Sequence, residues 1–267
     1  MITVAAVAEF LEGFAPSRLA EEWDNVGLLV GDSSRKVERI MTCLTLTAES
    51  VGEATADRAD LVVTHHPLPF RPLKRLTTET PEGRLLLALV EARVAVYSPH
   101  TAFDSTARGI NERLAAGIGL IGIAPLLAAG DDAAVGTGRC GHFATPLALP
   151  KVAERVGRFL AIESVQIVGS RHREVSRVAV GCGSAGELLA VAREAGCECF
   201  VTGEARFHAC LEAEATGMAM ILTGHFASER FAVEALAELL AEQFSDAHVW
   251  ASRHERDPLK WVSTKCP

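Results

Sequence analysis

Strand-like and helix-like segments alternate along this chain in two successive runs, and that alternation limits what it can fold into. In the first run, Gly27–Gly31, Arg39–Leu46, Leu61–Thr64 and Val94–Ser98 read as strands. Helical spacing falls on Ala48–Arg58, on Glu82–Ala92 with Pro81 placed to start it, and on Thr106–Ala116. An additional helix opens the chain, with Thr3 as its cap and Val4, Val7, Phe10, Leu11 and Phe14 on one side, and it stops before Pro16. The second run has strands at Arg177–Cys182, Glu198–Thr202 and Met218–Thr223. Its helices are Gly186–Ala195, Arg206–Thr216 and Ser228–Phe244. Such β-α-β-α order is the pattern of α/β proteins, with mostly parallel sheets flanked by helices.

The two runs match by position as well. Val63-Thr64 and Glu49 align with Val201-Thr202 and Glu187 at an offset of 138 residues, and His100-x-x-x-Asp104 aligns with His225-x-x-x-Glu229 at an offset of 125. We therefore expect two similar α/β lobes from an internal duplication, residues 1–127 and 128–267. The Gly- and Ala-rich stretch Ala128–Gly141, with Asp131-Asp132, is the expected join.

Composition narrows the function classes. The net charge of −8 disfavours nucleic acid as a partner, and the densest basic stretches, Arg71–Arg75 and Arg171–Arg177, read as short solvated loops. The seven cysteines form no disulfide framework and are expected to be reduced thiols in a cytoplasmic protein. Cys197-x-Cys199 lacks the second thiol pair of a closed zinc site. Glu9 and Glu12 interrupt the first apolar stretch, so no secretory signal is expected, and no apolar run reaches the roughly 20 residues that span a bilayer.

Ionisable groups gather at the carboxyl ends of the expected strands, where α/β sheets place their sites. They occur in Thr64-His65-His66-Pro67, in His100-x-x-x-Asp104 and in His225-x-x-x-Glu229. Each has an ordinary explanation by itself: surface histidines before a turn, a cap, an acid favoured by a helix dipole. Together, four of the nine histidines and two carboxylates lie on one edge of the expected sheets. Imidazole with carboxylate suits Zn, Fe, Mn, Co or Ni. His65, His66, Asp104, His225 and Glu229 are too many ligands for one open catalytic ion and suit two divalent ions. Gly181-Cys-Gly-Ser-Ala-Gly186 reads as a tight turn, because it lacks the Lys-Ser/Thr ending of a phosphate loop. Ser98 and Ser184 sit in no nucleophile elbow.

Trp23-Asp-Asn-Val-Gly-Leu-Leu-Val-Gly31, Leu61-Val-Val-Thr-His-His-Pro67, His100-x-x-x-Asp104, Val201-Thr-Gly-Glu-x-x-x-His208 and Gly224-His-x-x-Ser-Glu229 together resemble the NGG-one-interacting-factor-three-like family. These are dinuclear-metal-centre proteins known as GTP cyclohydrolase I type 2 homologues, and the resemblance runs over nearly the whole chain. It implies interlocked lobes with two metal ions between them and a homohexamer built as a trimer of dimers. Carried over by position, the ligands are His65, His66, Asp104, His225 and Glu229, with Glu229 bridging. His100 and His208 then lie near the metals as candidates for catalysis or substrate contact, and Asp24 and Asn25 line or brace the site. An Asp is expected where Thr45 stands. The chain is short for the family and lacks the domain that some members insert between the lobes. The expected activity is metal-dependent hydrolysis of a nucleotide-like substrate. The alternative is a non-enzymatic metal-binding regulator or scaffold that acts through protein partners.

Overall fold

The computed structural model describes residues 1–130, 132–260 and 262. Asp131 and Cys266 lie outside the described residues. The chain opens with α1 (Val4–Phe14), β1 (Gly27–Val30), β2 (Arg39–Cys43), α2 (Ala48–Ala56), β3 (Leu61–Thr64), α3 (Pro81–Glu91) and β4 (Ala95–Ser98). It continues through α4 (His100–Ser105), α5 (Ile110–Gly117), β5 (Ile121–Ala129), β6 (Asp132–Ala148), α6 (Leu149–Leu160), β7 (Gln166–Val168) and β8 (Glu174–Gly181). It closes with α7 (Leu189–Glu194), β9 (Cys199–Thr202), α8 (Phe207–Thr216), β10 (Ala219–Leu222), α9 (His225–Gln243) and β11 (His248–Ala251). None of the described helices is long and apolar enough to cross a membrane.

The strands form two sheets flanked by helices, in the orders β1-β4-β3-β2-β11 and β5-β6-β8-β9-β10-β7. The first sheet is parallel except at its β1–β4 edge. The second is mixed: β8, β9 and β10 run parallel, while β5, β6 and β7 join antiparallel. Side-chain alternation along the strands decides what each face packs against. Leu61 and Val63 of β3 meet α1 and α9, while Val62 turns to Val51 and Ala54 of α2 and Leu89 of α3. In the second sheet Val178, Val180 and Val201 meet α5 and α6, while Ala179, Phe200 and Met220 meet α7 and α8. Each buried Val, Leu, Ile or Phe contributes roughly 1.5–3 kcal/mol, so these four layers carry most of the folding free energy.

Local signals behave as their chemistry dictates. Thr3 Oγ1 accepts from the Ala6 amide and starts α1. Thr47 and Ser50 form a reciprocal cap on α2, and Thr80 caps α3 with Pro81 at its first position.

Three features depart from the sequence expectation. The helix expected over Thr106–Ala116 starts later, as α5 at Ile110, and an additional short helix, α4, precedes it, so that Asp104 lies inside α4 instead of capping a helix. The turn between α4 and α5 is held by Arg139, whose guanidinium donates to the carbonyls of Ser105 and Thr106, the latter also accepting from the Gly109 amide. The expected join Ala128–Gly141 is the hairpin β5–β6. Its small residues serve close strand approach: a methyl at Gly136 would stand 2.0 Å from the Leu127 carbonyl oxygen. Finally, the sheets do not part at residue 127. β5 belongs to the second sheet, and β11 returns to pair in parallel with β2 of the first. The connecting α9 begins at the second sheet and buries Ala232, Leu236 and Leu240 against α1 and β2.

Candidate metal centre

Residues that come after strands of both sheets meet in one cavity of about 580 Å³. His65 and His66 come directly after β3, His100 and Asp104 lie on α4 after β4, and His225 and Glu229 lie on the first turns of α9 after β10. His66 Nε2 and His225 Nε2 lie 3.3 Å apart, and each is 3.1 Å from Glu229 Oε2. His65 Nε2 lies 3.7 Å from Asp104 Oδ1 and 3.9 Å from Glu229 Oε1. Nitrogen and oxygen atoms of His66, His225 and Glu229 thus converge closely enough to hold an ion, as do those of His65, His66 and His100.

The same atoms pass a test of fit. Asp104 Oδ1 and His65 Nδ1 are buried without a hydrogen-bond partner, and the buried Glu229 Oε2 has the His66 and His225 Nε2 atoms at 3.1 Å. Buried polar atoms are normally paired, and an orphaned group costs about 1–3 kcal/mol. A divalent cation satisfies carboxylate oxygens and neutral imidazole nitrogens together. The electrostatics of the protein alone point the same way. Burial, with Glu229 close by, pushes the Asp104 carboxyl well above the usual carboxylate range, and burial holds the His65 imidazole neutral. Burial would also raise Glu229, but His225 and His66 outweigh it and keep that carboxylate ionised. The Glu229 contact raises His225 to about 9 against the pull of burial. A metal taken up by His225 must therefore displace a proton.

The supporting contacts are specific. His66 Nδ1 and Thr45 Oγ1 lie 2.7 Å apart, and His225 Nδ1 lies 3.0 Å from Glu204 Oε1. Bonds of this kind fix the ring and its tautomer. Thr45 stands where the family resemblance leads one to expect an Asp, and its hydroxyl lies against the His66 ring. The neighbouring backbone is held by Glu255, which accepts from the Leu44 and Thr45 amides. Asp24 is fully buried beneath His100, with His100 Nδ1 at 2.7 Å from its Oδ1 and the Thr101 amide donating to Oδ2. Burial alone would raise the Asp24 carboxyl; these hydrogen bonds outweigh it and hold the group at about 2. His100 itself adopts φ +25°, a conformation costly for any residue but glycine and concentrated at functional sites.

The glycine-rich turn after β8 has a part that its sequence did not disclose. Gly181, Cys182 and Ser184 line the same cavity. Gly183 holds φ +63°, and a methyl there would stand 2.2 Å from Glu229 Oε1 and 3.4 Å from His225 Nε2. Only glycine leaves room for the carboxylate. Gly183→Ala is expected to weaken metal binding roughly 10- to 100-fold, as loss of groups that hold ligands in place does. Metal titration of the chelated protein checks this, and wild-type affinity in the variant would count against the cradle.

The structure brings together His65, His66, His100, Asp104, His225 and Glu229, and it does not bring His208 to them. His208 lines an adjoining hollow with Ser184, Gly186 and Glu187. Glu204 stood in a motif read from the sequence, but its bond to His225 appears only in three dimensions. The described cysteines are all free, so Cys197-x-Cys199 carries no disulfide.

Comparison with known proteins agrees over the whole chain. It is 29% identical to a Clostridium acetobutylicum protein named GTP cyclohydrolase 1 type 2 homolog, covering 97% of this chain and 99% of that one. It is 32% identical to the Drosophila melanogaster NIF3-like protein 1, covering 98% and 90%. The crystal structure of a Staphylococcus aureus hypothetical protein superposes with a TM-score of 0.89 at 25% identity, covering 97% and 99%. A family model matches residues 2–258, spanning both sheets and every residue of the cluster, and the chain therefore belongs to the Duf34/NIF3 (NGG1p interacting factor 3) family.

Proposed function

We propose that the protein binds two divalent metal ions through His65, His66, Asp104, His225 and Glu229 and hydrolyses a nucleotide-like substrate in the cavity above them. The observation that carries this reading is the convergence of His66, His225 and Glu229, with the buried and unpartnered Asp104 Oδ1, at the wall of a cavity large enough for a mononucleotide. A relative carries the name GTP cyclohydrolase 1 type 2 homolog, which makes hydrolytic opening of a purine ring the first reaction to test. When bound, the metal pair supplies Lewis acidity and a water of lowered pKa. The chain supplies the rest. Glu204 and Thr45 orient His225 and His66. Asp24 engages His100 Nδ1, which leaves Nε2 as the atom that holds or moves a proton in the cavity. His208 is placed to contact substrate reaching into the adjoining hollow, which shares Ser184 and Glu187 with the main cavity. Consistent with the family likeness, we also propose a homohexameric, cytoplasmic protein.

The test combines metal analysis with turnover. Untagged protein is expected to hold about two ions per chain and to release a ring-opened product from GTP. His100→Gln is expected to keep its metal and to lose roughly 10²- to 10⁴-fold in kcat, the usual contribution of a positioned acid–base group. Fully metal-loaded protein that turns over no nucleotide would overturn the enzymatic reading and favour a regulator acting through partners.

A further inference from the structure

The mouth of the cavity carries an aromatic pair that metal binding does not require. Trp23 is 60% exposed and Phe70 is 43% exposed, and both line the cavity. Their ring centroids lie 5.8 Å apart with planes inclined at 44°. Each ring also borders His100, at 6.0 Å from Trp23 and 6.2 Å from Phe70. His100 in turn lies 5.1 Å from His65 and 5.6 Å from His66. An unbroken path of rings therefore leads from solvent to the candidate ligands.

The loops that carry the pair are tied to each other although its rings are exposed. Trp23 precedes Asp24, which is bonded to His100 and Thr101. One residue further on, Asn25 donates from its side-chain amide to the Pro69 carbonyl at 2.7 Å, next to Phe70. Two loops from distant parts of the chain are thus cross-linked so that their aromatic residues share one edge of the cavity. Large aromatic side chains preorganised in water beside a polar cavity offer π-faces for a planar ring, and such stacking tolerates any base.

Charge adds a second constraint. Arg71, Lys74 and Arg75 come just after Phe70, all exposed, and no acidic residue lies between His65 and Thr78. In a chain of net charge −8, the exposed segment after Phe70 is a local cationic exception, whereas the cavity wall carries Glu21, Asp104, Glu187 and Glu229 and no Lys or Arg among the described residues.

We propose that Trp23 and Phe70 form a stacking platform for the planar heteroaromatic ring of an anionic ligand, with Arg71, Lys74 and Arg75 attracting its anionic part. The platform names the substrate class of the proposed metal site; ligand binding to it is independent of that reading, and only the hydrolysis of the bound ligand rests on it. Sugar phosphates without a base would lack the stacking partner.

The test compares guanosine 5′-monophosphate with ribose 5-phosphate by calorimetric titration of metal-loaded protein. The nucleotide is expected to bind about 10- to 100-fold more tightly. Trp23→Leu is expected to erase that difference while leaving metal content and the ribose 5-phosphate affinity unchanged, and Trp23→Phe to retain most of it. Replacing Arg71, Lys74 and Arg75 with Gln is expected to weaken both ligands alike and to flatten the salt dependence. Equal affinity of wild type for the two ligands would overturn the platform. So would a Trp23→Leu protein with unchanged nucleotide affinity but an altered sedimentation coefficient, which would mean that a second copy covers the pair. Hydrolysis of non-aromatic phosphates alone would sink the platform and leave the metal hydrolase standing. Trp23-dependent binding without metal or turnover would do the reverse.

Discussion

Glu229→Ala is expected to strip the protein of most of its divalent metal. Glu229 is the one carboxylate that touches both halves of the cluster, with Oε2 against His66 and His225 and Oε1 facing His65. Removing it leaves His66 and His225 without the carboxylate on which both converge. The loss of affinity should exceed the roughly 10- to 100-fold typical of residues that only support a ligand. Two readouts check this. Mass-spectrometric metal analysis of untagged protein should fall from about two ions per chain to a fraction of one, where two is the number set by the proposed ligand set. Thermal melts should separate the variants as well. Metal at about 100 times its Kd stabilises a folded protein by about 2.7 kcal/mol, which in a chain of this size is a rise of roughly 5–10 °C. The wild type should show that rise and Glu229→Ala should not. A variant that keeps both its metal and its metal-dependent rise would remove Glu229 from the ligand set.

The cluster was legible in the sequence for a definite physical reason. Parallel strands present their carboxyl ends on one edge of a sheet, which relates His65-His66 to Asp104 within the first sheet, while the His225–Glu229 turn, from the second sheet, was added through its ligand chemistry and the family resemblance. The helices α1, α2 and α3 were legible because caps and apolar spacing are local chemistry. What escaped was set by contacts far apart in sequence. Nothing near Thr106 announces that Arg139, from another element, will hold a turn there and delay the helix to Ile110. Nothing in Gly181–Gly186 shows that Gly183 must make room for a carboxylate more than forty residues on. The return of β11 to β2 could not be read either, since a four-residue strand with no turn signal is indistinguishable from a loop end. That return closes the first sheet with residues from the far end of the chain, and the buried Glu53 and Glu255 tie the same segment down. Glycine misled in the hairpin as well: Gly136 reads as a flexible join but serves close packing.

Arg139→Met should be among the most destabilising single changes in this protein. The Arg139 side chain is fully buried, and its guanidinium donors are spent on three separate elements. It donates to Gly136 O at 2.6 Å and Gly138 O at 2.7 Å in β6, to Ser105 O at 3.2 Å and Thr106 O at 2.7 Å at the end of α4, and to Glu112 Oε2 at 2.8 Å in α5. Methionine fills much of the space but supplies no donor to these carbonyls, of which Thr106 alone keeps the Gly109 amide. Breaking a buried charged network of this kind costs about 3–5 kcal/mol, and in a chain of this size that lowers the melting temperature by roughly 6–20 °C. Glu112→Gln separates the two parts of the interaction. The Glu112 carboxylate is 32% exposed, so losing its charge should cost no more than about 1 kcal/mol. If Glu112→Gln proved as costly as Arg139→Met, the ion pair and not the carbonyl clamp would be the source of stability. The clamp also has a consequence at the metal centre, because the carbonyls it holds belong to the two residues after Asp104. Arg139→Met should therefore weaken metal binding at temperatures where the protein is still folded, while Glu112→Gln should leave it unchanged.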